Sequence, residues 1–78
     1  MEFKVYIIIS EKLNRYYAGH TNNLEKRLNT HNSGGKKYTS KGIPWLLVKT
    51  YNSSSRSEAM QLERKIKKRG IKRYLDEN

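Results

Sequence analysis

The longest apolar run of the chain covers residues 5–9, which is long enough for a β-strand but far too short to cross a membrane. Within residues 3–10, every second position beginning at Phe3 is apolar, and this alternation predicts a strand with one wholly apolar face. Tyr6 lies on the opposite face of that strand. The apolar face must be buried against other elements, so the chain has to build a small sheet covered by helices.

The composition allows only a thin core. The chain has 78 residues, of which 35% are apolar, and it contains no cysteine, so neither disulfides nor a thiolate zinc site can stabilise it. We expect residues 1–78 to form one domain without a linker to a second domain. The N-terminus carries no signal-peptide pattern, which predicts a soluble, cytoplasmic protein.

Turn residues and helix caps divide the rest of the chain into alternating elements. The order β-β-α-β-α predicts an α+β fold, a three-stranded antiparallel sheet flanked by helices, arranged as a single pair of layers. A polar loop is expected between the first helix and the third strand, and one more helical turn can follow the last helix. The predicted elements are strands at 3–10 and 15–19, a helix capped by Asn22, a strand at 45–51 and a helix at 55–70.

Glu63 occupies an unusual position for a carboxylate. The helix at 55–70 has an apolar stripe formed by Ala59, Leu62 and Ile66, and Glu63 falls on that same stripe. A carboxylate turned toward a core is costly unless a cation or strong donors meet it. In a chain this positive, an inward acid suggests a metal-binding or catalytic residue.

The first helix repeats this anomaly, because Arg27 and His31 lie on its apolar side, one turn apart. A guanidinium can neutralise charge that develops on a phosphate, and a histidine can move a proton at neutral pH. The alternative is structural, with Arg27 paired to an acid and His31 at the helix end. Tyr6 and Tyr17, on the two strands of the hairpin, are further candidates. A tyrosine is a poor base until a cation lowers its pKa, and Arg27 or a metal at Glu63 would do so; otherwise both tyrosines simply pack.

The net charge of +10, from 17 Lys and Arg against 7 Asp and Glu, makes nucleic acid the first partner to consider. A membrane surface is less favoured, since the basic residues do not border a broad apolar helical face; the charge could also serve solubility alone. Two histidines without paired carboxylates give no zinc or two-metal site, so a metal would be held by one acid with waters and substrate oxygens, which suits Mg²⁺. The basic residues expected to contact phosphates include Lys36, Lys37, Arg64, Lys67 and Lys68.

The ordered set of these residues resembles a GIY-YIG nuclease domain. Residues 5–7 resemble the first triad of that family, residues 17–19 resemble the second, and Tyr38, Thr39 and residues 58–67 resemble the later pattern of its small, stand-alone members. The likeness runs from about Val5 to Lys68. Val5 replaces the glycine of the first triad and Ala18 the usual branched residue of the second, but both tyrosines are kept.

The resemblance implies a metal-dependent endonuclease that hydrolyses phosphodiester bonds in DNA, and the DNA could be branched or damaged, as in DNA repair. Because no added DNA-binding domain is expected, a protein partner could supply specificity. The resemblance implies that Glu63 would hold one Mg²⁺ or Mn²⁺ and that Arg27 would stabilise the phosphate. Tyr6 and Tyr17 would position or deprotonate water, and His31 would act as base or orient a tyrosine. His20 would be a basic or polar neighbour of the second triad that contacts the nucleic acid, and Asn32 would be a weaker supporting candidate.

Two other functions fit the charge and the size. One is a non-catalytic module that binds DNA or RNA and retains the nuclease fold, and the other is a structural protein of a ribonucleoprotein particle. The inward-facing Glu63 distinguishes them from the nuclease, since a pure binder gains nothing from a carboxylate facing its phosphate groove.

Overall fold

The computed structural model describes residues 2–35 and 37–77. The predicted α+β fold is confirmed, with a three-stranded antiparallel sheet and helices in the expected order. The elements are β1 Phe3–Ser10, β2 Arg15–Thr21, α1 Leu24–Asn32, α2 Lys37–Ser40, β3 Trp45–Ser53, α3 Arg56–Arg69 and α4 Ile71–Glu77. Among the described residues, no helix is both long and apolar enough to span a membrane.

Strand β1 is the central strand, because the sheet order is β2-β1-β3 and both pairings are antiparallel. Its side chains explain this position. Val5 and Ile7 on one face and Tyr6 and Ile8 on the other are all fully buried. A strand that is apolar on both faces is most stable where helices or loops cover both faces.

The sheet therefore has a separate core on each side. Val5 and Ile7 pack with Ala59 and Ile66 of α3 in one core. Tyr6 and Ile8 pack with Trp45 in the other core, against which residues of α1 are placed. The expectation of a single pair of layers was wrong, since it counted only one apolar face of β1 and overlooked that Ile8 needs burial as well.

The helix caps follow the expected chemistry with one shift. Ser55 caps α3, and its side chain accepts a hydrogen bond from the backbone N–H of Glu58, as predicted. For α1 the cap is Asn23 rather than Asn22, and its side chain accepts from the N–H of Lys26. Asn22 and Asn23 both match the preference for asparagine at a helix N-cap. The helix begins at Leu24, so Asn23 is the residue at the cap position.

The loop expected between α1 and β3 contains the short helix α2. Thr39, in this helix, is almost fully buried, and its backbone carbonyl accepts a hydrogen bond of 2.7 Å from the indole N–H of Trp45. Four residues cannot form a stable helix by themselves. The α2 turn therefore depends on contacts with the folded protein, which explains why local sequence signals did not predict it.

Candidate functional site

The phenol of Tyr6 lies against the backbone of Gly19, in the edge strand β2. Gly19 is the partner of Tyr6 in the antiparallel register. A Cβ atom at position 19 would lie 2.6 Å from the hydroxyl oxygen of Tyr6 and 2.8 Å from its Cζ atom. Only glycine leaves room for the phenol there, so this position determines where the hydroxyl group lies.

The hydroxyl group of Tyr6 begins a buried chain of polar contacts. It lies 2.9 Å from Nε2 of His31, and Nδ1 of His31 lies 2.9 Å from Oγ1 of Thr39. Tyr6 and His31 have no exposed surface, and Thr39 is 1% exposed. A neutral imidazole can accept a proton at one nitrogen while donating at the other, so His31 can link the phenol to the threonine hydroxyl.

Burial, together with the neighbouring Tyr17, raises the pKa of Tyr6 to about 12, although the charge and hydrogen bond of Arg27 act in the opposite direction. The expectation that Arg27 lowers the pKa of a tyrosine is thus correct in direction but wrong in outcome for Tyr6, because desolvation of the phenolate is the larger effect. At neutral pH Tyr6 carries its proton.

Glu63 approaches the same region from α3, on the other side of the sheet. One carboxylate oxygen lies 2.6 Å from Nδ1 of His20, and the other accepts a hydrogen bond of 2.8 Å from Nζ of Lys67. Burial alone would raise the pKa of Glu63, but the hydrogen bonds and charges of Lys67 and His20 outweigh it and hold the pKa below its ordinary value. The carboxylate is therefore ionised at neutral pH and is 19% exposed.

The two halves of the site meet around strand β2. Because β2 is an edge strand, side chains from both faces of the sheet reach the space beside Gly19. The negative charge of Glu63 is close enough to contribute to the raised pKa of Tyr6. Tyr17 completes the cluster, with its ring centroid 5.2 Å from that of His31 and Nζ of Lys67 lying 5.7 Å from its centroid. The acid, the guanidinium, the imidazole and both phenols thus occupy one region.

The basic residues named from the sequence divide between two places. Arg64 and Lys67 line a depression of about 230 Å³ together with His20 and Glu63. Lys68 is exposed on the same helix, and Lys37 lines a larger groove beside Tyr17. His20, expected among the residues that contact nucleic acid, is bonded to Glu63. Lys36 lies outside the described residues.

Two supporting residues have clearer positions in the structure than in the sequence. Thr39 bonds His31, although the sequence singled it out only as part of the family resemblance. The side chain of Asn32 makes two hydrogen bonds with the backbone of Trp45, donating to its carbonyl at 3.1 Å and accepting from its N–H at 2.6 Å. Its side chain fixes the start of β3, and a polar residue at the end of a helix is too common to have indicated this.

The donor atoms around Glu63 fit one kind of metal ion. The described residues contain no cluster of three His, Cys, Asp or Glu side chains, so they do not form the closed site that zinc prefers. A partly exposed, ionised carboxylate beside a depression suits a hard divalent cation that keeps several waters and takes phosphate oxygens as further ligands. Such an ion would compete with Lys67 for the carboxylate.

Comparison with known proteins identifies the family of this chain. The family model described as the GIY-YIG catalytic domain matches residues 2–74. A solution NMR structure of the UPF0213 protein BH0048 from Bacillus halodurans is similar at a TM-score of 0.58 and 34% sequence identity, and the match covers 97% of this chain and 81% of that one.

Curated relatives carry the same designation. A UPF0213 protein of Bacillus licheniformis is 41% identical over 76 residues, which cover 92% of this chain and 78% of the relative. The UPF0213 protein YazA of Bacillus subtilis is also 41% identical over 76 residues, with 92% of this chain and 77% of the relative covered. The match of the family model over nearly the whole chain, supported by these relatives, shows that the chain belongs to the GIY-YIG catalytic domain family, a family of nucleases that act on DNA.

Proposed function

We propose that residues 1–78 form a single catalytic domain that acts in the cytoplasm as a metal-dependent endonuclease on DNA. The observation that carries the proposal is the meeting of Tyr6, Arg27, His31 and Glu63 beside Gly19, although these residues come from different elements. Structural stability alone does not require a buried phenol, an imidazole, a guanidinium and an acid at one edge of a small sheet. Hydrolysis of a phosphodiester uses each of these groups.

The attacking water would lose its proton to the buried relay. Because Tyr6 is protonated at neutral pH, it cannot act as a base by itself. It can accept a proton from water while its own proton passes to Nε2 of His31, 2.9 Å away, with Nδ1–H of His31 donating to Thr39 in the tautomer that we assign. Arg27 would meet the charge that builds on the non-bridging phosphate oxygens.

Glu63 would hold a single Mg²⁺ or Mn²⁺, the kind of ion that nucleases of this family generally use. A bound divalent ion supplies positive charge to the departing oxygen. Lys67 would be released from the carboxylate when the ion binds, and its ammonium group would then be free to contact a backbone phosphate. His20, bonded to the other carboxylate oxygen, would keep Glu63 oriented.

The direct test is incubation of the purified protein with a panel of linear duplex, flapped and branched DNAs, and with an RNA hairpin. We expect cleavage of DNA with Mg²⁺ or Mn²⁺ and none when EDTA removes the metal. Cleavage that persists in EDTA would contradict the role of the metal, and absence of cleavage on every DNA would contradict the proposal as a whole.

Tyr17→Phe tests the second phenol. The ring keeps its contacts with His31 and Lys67, so we expect the free energy of unfolding to change by less than about 1 kcal/mol. If the hydroxyl group positions the water or the phosphate, the rate of cleavage at saturating metal should fall about 100-fold or more. Single-turnover kinetics and thermal unfolding of the same sample measure both quantities, and a variant with full activity would remove Tyr17 from the mechanism.

A second candidate is a non-catalytic module that binds nucleic acid. One observation favours it: both oxygens of Glu63 are bonded within the protein, as expected for an acid that only joins α3 to the hairpin. In that case, Glu63 variants lose stability and the wild-type protein binds nucleic acid but cleaves nothing at any metal concentration. The panel described above separates the two functions, because only the nuclease depends on metal for a chemical product.

A further inference from the structure

A groove of about 730 Å³ opens beside Tyr17, and neither Glu63 nor Lys67 is among the residues that line it. Four aromatic residues line it: Tyr16, Tyr17, Tyr38 and Trp45. The volume lies in the range of sites that hold a small organic ligand. The mechanism proposed above uses Tyr17 but leaves Tyr38, Trp45 and the space between them without a function.

Tyr17, Tyr38 and Trp45 form an aromatic surface that is anchored to the rest of the fold through Trp45. Trp45 is 5% exposed, and its indole N–H is bonded to the carbonyl of Thr39 at 2.7 Å. The Tyr17 centroid lies 6.2 Å from that of Trp45 and 6.0 Å from that of Tyr38. Tyr38 is 77% exposed, an unusual amount for so large an aromatic side chain. An exposed ring beside two anchored rings is a surface on which a flat molecule can stack.

The charge of the groove indicates which flat molecule it takes. Arg15, Lys37 and Lys41 line it, and no acidic residue does so among the residues that the structure describes. Within residues 2–35 and 37–77, none of these three cations forms an ion pair. A concave surface that combines stacking faces with unneutralised cations is complementary to a nucleotide, which has an aromatic base and an anionic phosphate.

We infer that this groove binds an unpaired nucleotide of the DNA strand next to the phosphate that is cut. In a duplex, both faces of each base are covered by its neighbours, so only a base that has left the stack can lie on Tyr38. Tyr17 joins the two places, because its ring centroid is 5.2 Å from that of His31 and 6.0 Å from that of Tyr38. The inference rests on the proposed function in taking DNA as the substrate, and it identifies flaps, gaps and frayed ends as the preferred forms.

The single tryptophan of the chain supplies a local probe, since Trp45 lies in the groove. We expect a fluorescein-labelled oligothymidylate to bind the protein, as measured by fluorescence anisotropy in EDTA. The same strand without the label should quench Trp45 fluorescence. A blunt duplex with the same number of phosphates should quench far less. Tyr38→Ala should weaken binding of the single strand about 5- to 100-fold, the usual effect of removing one stacked aromatic, while Tyr38→Phe should bind as the wild type does.

Leu46→Ala is the matched control, because Leu46 is 50% exposed on the other edge strand, β3, and should leave binding unchanged. Equal binding of the single strand by wild type and Tyr38→Ala would overturn the inference, and so would equal quenching of Trp45 by duplex and single strand.

The failures of the two proposals are distinguishable, because these measurements need no hydrolysis. Tyr38-dependent binding in a protein that cuts no DNA would support the groove and reject the nuclease. Cleavage accompanied by binding that ignores Tyr38 would reject the groove alone.

Discussion

Replacement of Glu63 by glutamine is expected to abolish cleavage, with the rate at saturating metal falling by about 100- to 1,000-fold or more. The variant keeps the shape of the side chain but loses the charge that would hold a divalent cation. DNA binding should be largely kept, because the net charge of the protein becomes more positive by one unit and Lys67 loses its ionic partner. Cleavage kinetics and anisotropy in EDTA measure the two effects on one preparation.

Glu58→Gln is the matched control for this experiment. Glu58 lies on the same helix, but it is exposed, and its carboxylate accepts a hydrogen bond from the hydroxyl group of Ser54. The control should cleave DNA at the rate of the wild type. If Glu63→Gln cleaves at that rate as well, the carboxylate has no catalytic role, and its bonds to His20 and Lys67 are purely structural.

Gly19→Ala is expected to damage stability and activity together. The new methyl group would lie 2.6 Å from the Tyr6 hydroxyl oxygen, and the fully buried phenol has no space into which it can retreat. Overpacking of this kind costs about 1–3 kcal/mol, which lowers the melting temperature by several degrees or more in a domain of this size. Displacement of the phenol would also break its bond to His31, so cleavage should fall even well below the melting temperature.

Gly35→Ala controls for the loss of a glycine. A Cβ atom there would lie 3.0 Å from Cγ2 of Thr30 and 3.3 Å from the Thr30 carbonyl oxygen, contacts that a shift of a few tenths of an ångström relieves. We expect wild-type cleavage and a small change in melting temperature, measured by circular dichroism. A Gly19→Ala protein that is as stable and as active as Gly35→Ala would show that the position of the Tyr6 phenol does not matter.

Local signals in the sequence predicted most of the elements. The bounds of β1, the cap at Ser55 and the inward position of Glu63 all depend on the identity and spacing of nearby residues, which the sequence displays directly. The second core was missed because only the face of β1 that carries Ile7 was expected to be buried, although Ile8 on the opposite face is as deeply buried as Ile7. The helix α2 was missed because its stability comes from contacts of Thr39 with Trp45 and His31, which lie outside the four-residue segment.

The candidate site shows the same limit. The sequence indicated Tyr6 and His31 as separate candidates. It could not show that these residues, 25 positions apart, bring the phenol hydroxyl to within 2.9 Å of Nε2 of His31. It also could not show that His20 lies against Glu63, since that depends on the register of β2 against β1, which sets the face on which His20 lies. The pKa of Tyr6 was misjudged for a related reason, because the degree of burial that controls it is a property of the folded protein.

The order of α1 and α3 along the chain has a consequence during synthesis. The guanidinium and the imidazole are made early, on α1, whereas the acid arrives only with α3, in the last third of the chain. A nascent or truncated polypeptide that stops before residue 56 therefore has its phenols and cations but no carboxylate beside them. In the proposed mechanism such a fragment would lack the acid that holds the metal ion, so cleavage of DNA would have to await synthesis of α3.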